Sequence, residues 1–234
     1  MVCKMSTARP PVSASRRALL LLAFGSLRVH AERANLIFIR HGEKLDDGSP
    51  GLSKDGANRA SWLAQCIGNL SSTSSSVAFP AGPPTALLAP AIVPGKSTRG
   101  RDTLMPLGNV LRLPVDTSIE KTDHAGFVAL ADSLLVHGGT VLAAWEHSDI
   151  APIVASYGPP GKMGFDHWPN GCDNKQWPEP PYIKSGDTCY ERIWAVTLTR
   201  PRLNTPWLAV AFATMDQGFQ GMVDGPCLGA LGSE

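Results

Sequence analysis

Asn35–Lys44 reads NLIFIRHGEK. Its apolar core, Leu36–Ile39, is short and partly β-branched, the pattern of a strand buried on both faces. It ends at once in Arg40, His41 and Gly42. A strand inside a core has no packing reason to finish on a guanidinium and an imidazole. At a strand end, however, such side chains reach the opening where a sheet stops.

Outward from this stretch, strand-like and helix-like patterns alternate. Further strands are expected at Ala86–Ala89, from Val115, at Thr140–Trp145, Ile193–Leu198 and Trp207–Phe212. A first helix follows Leu52, with Ser53 as N-cap and Ala57, Ala60, Trp62, Leu63 and Ile67 as apolar positions. Others are expected from Ser97 to about Leu111, over Gly126–His137, and from about Ile150 to Tyr157. Alternation of this kind gives an α/β domain, an open and mostly parallel sheet with helices on both faces. Chemistry in such sheets sits beyond the C-terminal strand ends. The TVLAAW strand, Thr140–Trp145, runs into Glu146 and His147. A second imidazole is thus expected in the same crevice as His41.

Two stretches interrupt the alternation. Leu70–Pro84 is rich in serine, glycine and proline and reads as a loop. Gly158–Ser185 holds six prolines, too many for regular structure, and is too long for a simple connection. Its aromatics, Phe165, Trp168, Trp177 and Tyr182, favour an ordered lid, in which they serve as packing.

At 234 residues, 43% hydrophobic and 18% charged, the chain has the composition of one ordinary globular domain. The first 31 residues stand apart. Lys4, Arg9, Arg16 and Arg17 precede the apolar block Ala18–Leu27, and Val29-His30-Ala31 follows with small residues where a signal peptidase reads. This is the form of a secretory signal cleaved after Ala31, leaving a single domain over 32–234 and a secreted or extracytoplasmic protein. The absence of acidic residues leaves a transit peptide as the other reading.

Removing the segment takes away five of the 21 basic side chains and none of the 20 acidic ones, leaving 16 against 20. No basic cluster remains to suggest nucleic-acid binding. No apolar run reaches the ~18 residues needed to span a bilayer. Cys66, Cys172, Cys189 and Cys227 remain, an even number with three pairings open. Cys172 and Cys189 flank one stretch, which favours Cys172–Cys189 with Cys66–Cys227; four reduced thiols are the alternative for a cytosolic chain. Asn69-Leu70-Ser71 is a glycosylation sequon.

The remaining polar signals converge on one chemistry. Arg99 lies in Ser97-x-Arg99-x-x-x-Thr103, at the start of the second helix. A phosphoryl group in transfer spreads charge over its equatorial oxygens and needs cations and forked donors around it. Arginine supplies both, so Arg40 and Arg99 are candidate phosphate ligands, with Arg101 as the alternative to Arg99. His41 suits a nucleophile whose second ring nitrogen is held by a hydrogen bond. His147 suits a donor to a phosphoryl oxygen. Gly42 lets the backbone approach the phosphate closely. With this much positive charge, no metal or cofactor is expected, and the Cys and His spacings form no zinc pattern.

Arg40-His41-Gly42-Glu43, the turn Leu52-Ser53-x-x-Gly56, the later Arg99 and Thr103, and a strand ending at His147 together resemble the histidine phosphatase (phosphoglycerate mutase-like) superfamily, over about residues 35–215. The resemblance implies a three-layer sandwich and a phosphomonoester hydrolase that works through a phosphohistidine on His41, acting on a small phosphorylated substrate. The family's acid, which protonates the leaving oxygen, varies in position. Glu120 lies roughly where the mutase-like branch places it; Asp123, Glu146 and Asp149 are the alternatives. A non-catalytic phosphate- or phosphoprotein-binding member is the competing reading, and a phosphomutase a third. His124, His137 and His167 receive no role, and Asp216–Phe219 reads as a turn, with a last-strand loop lining the crevice as the alternative.

Overall fold

The computed structural model describes residues 31–68, 82–158, 167–168, 189–190, 192–217 and 219. The first 30 residues, the sequon, the cysteines 172 and 227, and most of both irregular stretches lie outside them. The proposed disulfide pairing therefore lies outside the described residues too, although Cys66 and Cys189 are both buried.

Six strands form one sheet: β1 (Glu32–Arg40), β2 (Ala86–Leu88), β3 (Val115–Asp116), β4 (Gly139–Trp145), β5 (Arg192–Arg200) and β6 (Leu208–Asp216). Their order is β3-β2-β4-β1-β5-β6. β1 pairs in parallel with β4, and β4 and β3 in parallel with β2. β5 runs antiparallel to both of its neighbours, so it alone among the described strands reverses direction. The open, mostly parallel sheet expected from the sequence is present.

Alternating side chains of β1 show why its centre, Leu36–Ile39, is apolar without a break. Ala34, Leu36 and Phe38 enter one core with Phe127, Ala131, Ile150 and Val154. Ile37 and Ile39 enter a second core with Trp62, Leu63, Leu104 and Leu107. Helices α1 (Lys54–Gly68) and α2 (Arg99–Leu111) cover that second face; α3 (His124–Leu134) and α4 (His147–Ala155) cover the first. A strand with cores on both sides has no polar side to alternate with. At roughly 25 cal/mol per Å² of apolar surface, these layers supply most of the driving force for folding.

Element boundaries differ from the sequence reading where tertiary partners decide them. β1 begins at Glu32, not Leu36, because β5 pairs along its full length and Arg200 Nε donates to Glu32 Oε2 at 2.6 Å. Ser53 caps α1 as expected, its Oγ accepting from Gly56 N at 3.1 Å. α3 starts at His124 because Asp123 caps it, accepting from Gly126 N at 2.8 Å. α4 starts at His147, three residues before Ile150, so the second site histidine is the first residue of a helix and Glu146 its N-cap position. Trp168 packs against Trp194, with centroids 5.1 Å apart, and its Nε1 donates to the Cys189 carbonyl at 2.9 Å.

Candidate active site

β1 and β4 end side by side, with Arg40 in register with Trp145. One step further, His41 N donates to the Trp145 carbonyl at 3.2 Å. This parallel register delivers His41 and Glu146-His147 to one place. The His41 ring is fixed by its own backbone: Nδ1 lies 2.8 Å from the Gly42 carbonyl. A carbonyl only accepts, so Nδ1 carries the proton and Nε2 faces outward. Glu146 Oε2 lies 3.6 Å from that Nε2, and Glu146 Oε1 lies 2.8 Å from Nδ1 of His147, at ion-pair distance without hydrogen-bond alignment. A single carboxylate thus reaches both imidazoles, and the two rings share one site. Its contacts with His147 first, then His41, hold the Glu146 carboxyl far below the usual carboxylate range, against the opposing effect of burial.

The turn after His41 is held by close backbone packing. Gly42 N donates to Thr103 Oγ1 at 2.8 Å, and Thr103 Oγ1 donates to the Arg99 carbonyl at 2.7 Å. This ties the histidine turn to the first turn of α2. A Cβ on Gly42 would sit 3.1 Å from the Gly56 backbone, and one on Gly56 would sit 2.6 Å from the Glu43 carbonyl oxygen. Two backbones cross where only glycine fits, which explains the Leu52-Ser53-x-x-Gly56 spacing.

The cations divide into two kinds. Arg40 is buried, and its guanidinium lies 3.7 Å over the Tyr190 ring. Arg99 opens α2, with Nη1 donating to the Ser49 carbonyl at 3.3 Å. Arg101, the alternative to Arg99, forms an ion pair with Asp102 at 2.7 Å. Of the candidate acids, Glu120 lines the same cavity as His41 and Glu146. Asp123 is occupied in capping α3. Asp149 accepts from His124 Nε2 at 2.9 Å and from Ser148 Oγ at 3.1 Å. Among the described residues no group of three His, Cys, Asp or Glu side chains is placed to hold a metal ion.

A buried network behind the turn was not read from the sequence. Arg59, fully buried on α1, donates from Nε and Nη2 to the Glu43 carboxylate, the shortest contact being 2.5 Å, and from Nη1 to Gln217 Oε1 at 3.1 Å. Gln217 Nε2 donates to the Tyr190 carbonyl at 2.7 Å. Burial alone would raise the Glu43 pKa, but the charge and hydrogen bonds of Arg59, with a backbone hydrogen bond and the Arg40 charge, together hold the carboxyl below its usual range. Glu43, Arg59, Gln217 and Tyr190 so form one chain of contacts ending under Arg40. Gln217, expected in a turn, is instead a fully buried link at the end of β6. The one available signal was the direction of β5: a reversed strand brings the residues before its start, Tyr190 among them, to the edge where β1 ends.

This arrangement, with the motif order that produces it, decides the comparison. The chain resembles the histidine phosphatase superfamily. No family model and no curated protein matches the sequence. Among solved structures, one assigned as the phosphohistidine phosphatase SixA of Nakamurella multipartitia is 14% identical, covering 78% of this chain and 96% of its own, with a TM-score of 0.43. A protein described as mycobacterial hydrolase 1 is 14% identical over 77% of this chain and 98% of its own, with a TM-score of 0.45. A mycobacterial glucosyl-3-phosphoglycerate phosphatase is 14% identical over 76% and 97%, with a TM-score of 0.39. Likeness of this order says nothing about the substrate.

Proposed function

We propose that the protein is a phosphomonoester hydrolase of the histidine phosphatase type, acting through a phosphohistidine. The observation that carries this is the His41 ring, fixed through Nδ1 to the Gly42 carbonyl, with Nε2 turned toward the space it shares with His147. In the reaction, Nε2 attacks phosphorus while the bond to the leaving oxygen breaks. Arg40, Arg99 and His147 take up charge on the equatorial oxygens, and the first turn of α4 presents its positive end to them. Glu120, which lines the same cavity as His41, gives its proton to the leaving oxygen. As a carboxylate it then accepts a proton from the water that attacks phosphorus, the N–P bond breaks, and inorganic phosphate and free His41 are released.

Glu146, held ionised between the imidazoles, is a poor proton donor and instead occupies space that a phosphoryl oxygen would take. The second reading, a phosphate-binding protein without turnover, needs the cationic site but no placed acid. Hydrolysis of an aryl phosphate by the wild type, lost in His41→Ala and reduced in Glu120→Gln, supports the hydrolase. Phosphate binding with no turnover of any phosphoester supports the binding protein.

The reading extends to location. Cleavage after Ala31 would leave Glu32, the first residue of β1, as the new N-terminus with the strand whole. Disulfide linkage of Cys66 and Cys189, both buried, would fit an oxidising compartment. Intact mass of the secreted product, before and after reduction, tests both points.

A further inference from the structure

The cavity at His41 is about 450 Å³, in the range of small-ligand sites. It is lined by His41, Glu146 and Gly100 and by residues of the β2–α2 and β3–α3 loops. Pro90, Ala91, Val93 and Trp145 give it an apolar wall. Lys96, from the β2–α2 loop, and Lys121, from the β3–α3 loop, also line it, and the phosphoryl chemistry uses neither.

Both lysines are anchored in the backbone and unengaged at the ammonium. Lys96 N donates to the Val93 carbonyl at 3.0 Å, closing a turn. The Lys121 carbonyl accepts from Trp145 Nε1 at 3.0 Å, which ties its loop to the end of β4. Neither side chain has an ion pair among the described residues. The cavity's two carboxylates do not balance them. Glu146 is engaged by the imidazoles, and Glu120 forms no ion pair with either lysine among the described residues. Two cations thus remain, on two different loops, in the cavity that also holds the nucleophile and an apolar wall.

We infer that this cavity selects a phosphomonoester whose small, partly apolar body carries a second anionic group, bound by Lys96 and Lys121. The inference rests on the hydrolase reading, because His41 marks the end that receives the phosphoryl group. A carboxylate and a second phosphate share the chemistry that two ammonium groups recognise.

The test compares 4-carboxyphenyl phosphate with its neutral isostere 4-carbamoylphenyl phosphate, and adds benzene-1,4-diyl bisphosphate for the second-phosphate case. The expected result at low salt is a kcat/KM about five- to tenfold higher for the acid than for the amide, the range two partly exposed ion pairs supply. The advantage shrinks with added salt and falls to near one in Lys96→Met/Lys121→Met. If the bisphosphate outruns the acid, the second group is a phosphate; if not, a carboxylate. Equal rates for acid and amide in the wild type overturn the inference and leave the hydrolase reading standing. An advantage that survives in the double variant overturns the assignment to these lysines. Should neither ester turn over, the hydrolase reading fails, and calorimetric binding of the two compounds to the wild type decides the inference, with equal dissociation constants refuting it.

Discussion

Two carboxylates flank the His41 turn, and both are held ionised, but by different partners. Glu43 is gripped by Arg59, a fully buried guanidinium that is also bonded to Gln217. Glu146 lies between two imidazoles. A guanidinium keeps its charge at any working pH, and its fork fixes geometry. An imidazole gains and loses a proton near neutrality and turns more freely. The Glu43 cluster is accordingly a fixture that holds the turn, whereas the Glu146 cluster can rearrange when an anion enters. The contrast teaches that a strongly lowered carboxyl pKa does not by itself mark the acid of the reaction; what holds the carboxylate decides its use.

Removing one partner from each cluster separates the two roles. Arg59→Met leaves Glu43 and Gln217 buried without their partner and is expected to cost about 3–5 kcal/mol of unfolding free energy. Glu146→Gln is expected to cost less, about 1 kcal/mol, because its side chain is 21% exposed and its partners are imidazoles at the cavity rather than a fully buried guanidinium. Denaturant unfolding of both variants checks this, and equal losses would erase the distinction. Next in size is the stack on Arg40. Tyr190→Leu removes it and is expected to lower kcat/KM roughly tenfold, with Tyr190→Phe restoring most of the loss because the ring face does the work. No rescue by phenylalanine would mean that the hydroxyl matters instead.

Glu146→Gln carries a third expectation. With its charge gone, inorganic phosphate no longer has to displace a resident anion, and binding tightens about five- to tenfold. Titration calorimetry reads this directly; weaker binding would mean that Glu146 assists the phosphate. The smallest effect is in pH. Glu43 has a folded pKa below its ordinary value of 4.5, so its contribution is complete above that value and lost as pH falls through the folded one. The stability gap between wild type and Glu43→Gln should be flat above pH 4.5 and narrow below it. A gap that widens in acid would reverse the assigned sign.

Much of this was legible in the chain. Leu36–Ile39 and Thr140–Trp145 declared themselves as buried strands, and their last residues predicted where the crevice lies. Ser53 declared the first cap. The limits were set by contacts distant in sequence. Nothing near Glu32 signals a strand until Arg200 reaches it from β5. Tyr190 follows a proline-rich stretch and has meaning only once β5 is known to run backward. Arg59 looks like a helix-surface charge, and only the meeting of α1 with the ends of β1 and β6 buries it. The acid was illegible for a related reason: Glu120, Asp123, Glu146 and Asp149 are close along the chain or around one crevice, and capping and pairing, which separate them, are three-dimensional facts.

The central claim is that His41 Nε2 becomes covalently phosphorylated. Its most direct test is rapid quench of the wild type with an aryl phosphate into base, followed by peptide mass spectrometry. The account predicts a phosphate adduct on His41, lost on acid treatment and absent from His41→Ala. Turnover that persists in His41→Ala, or an adduct on any other residue, would contradict it.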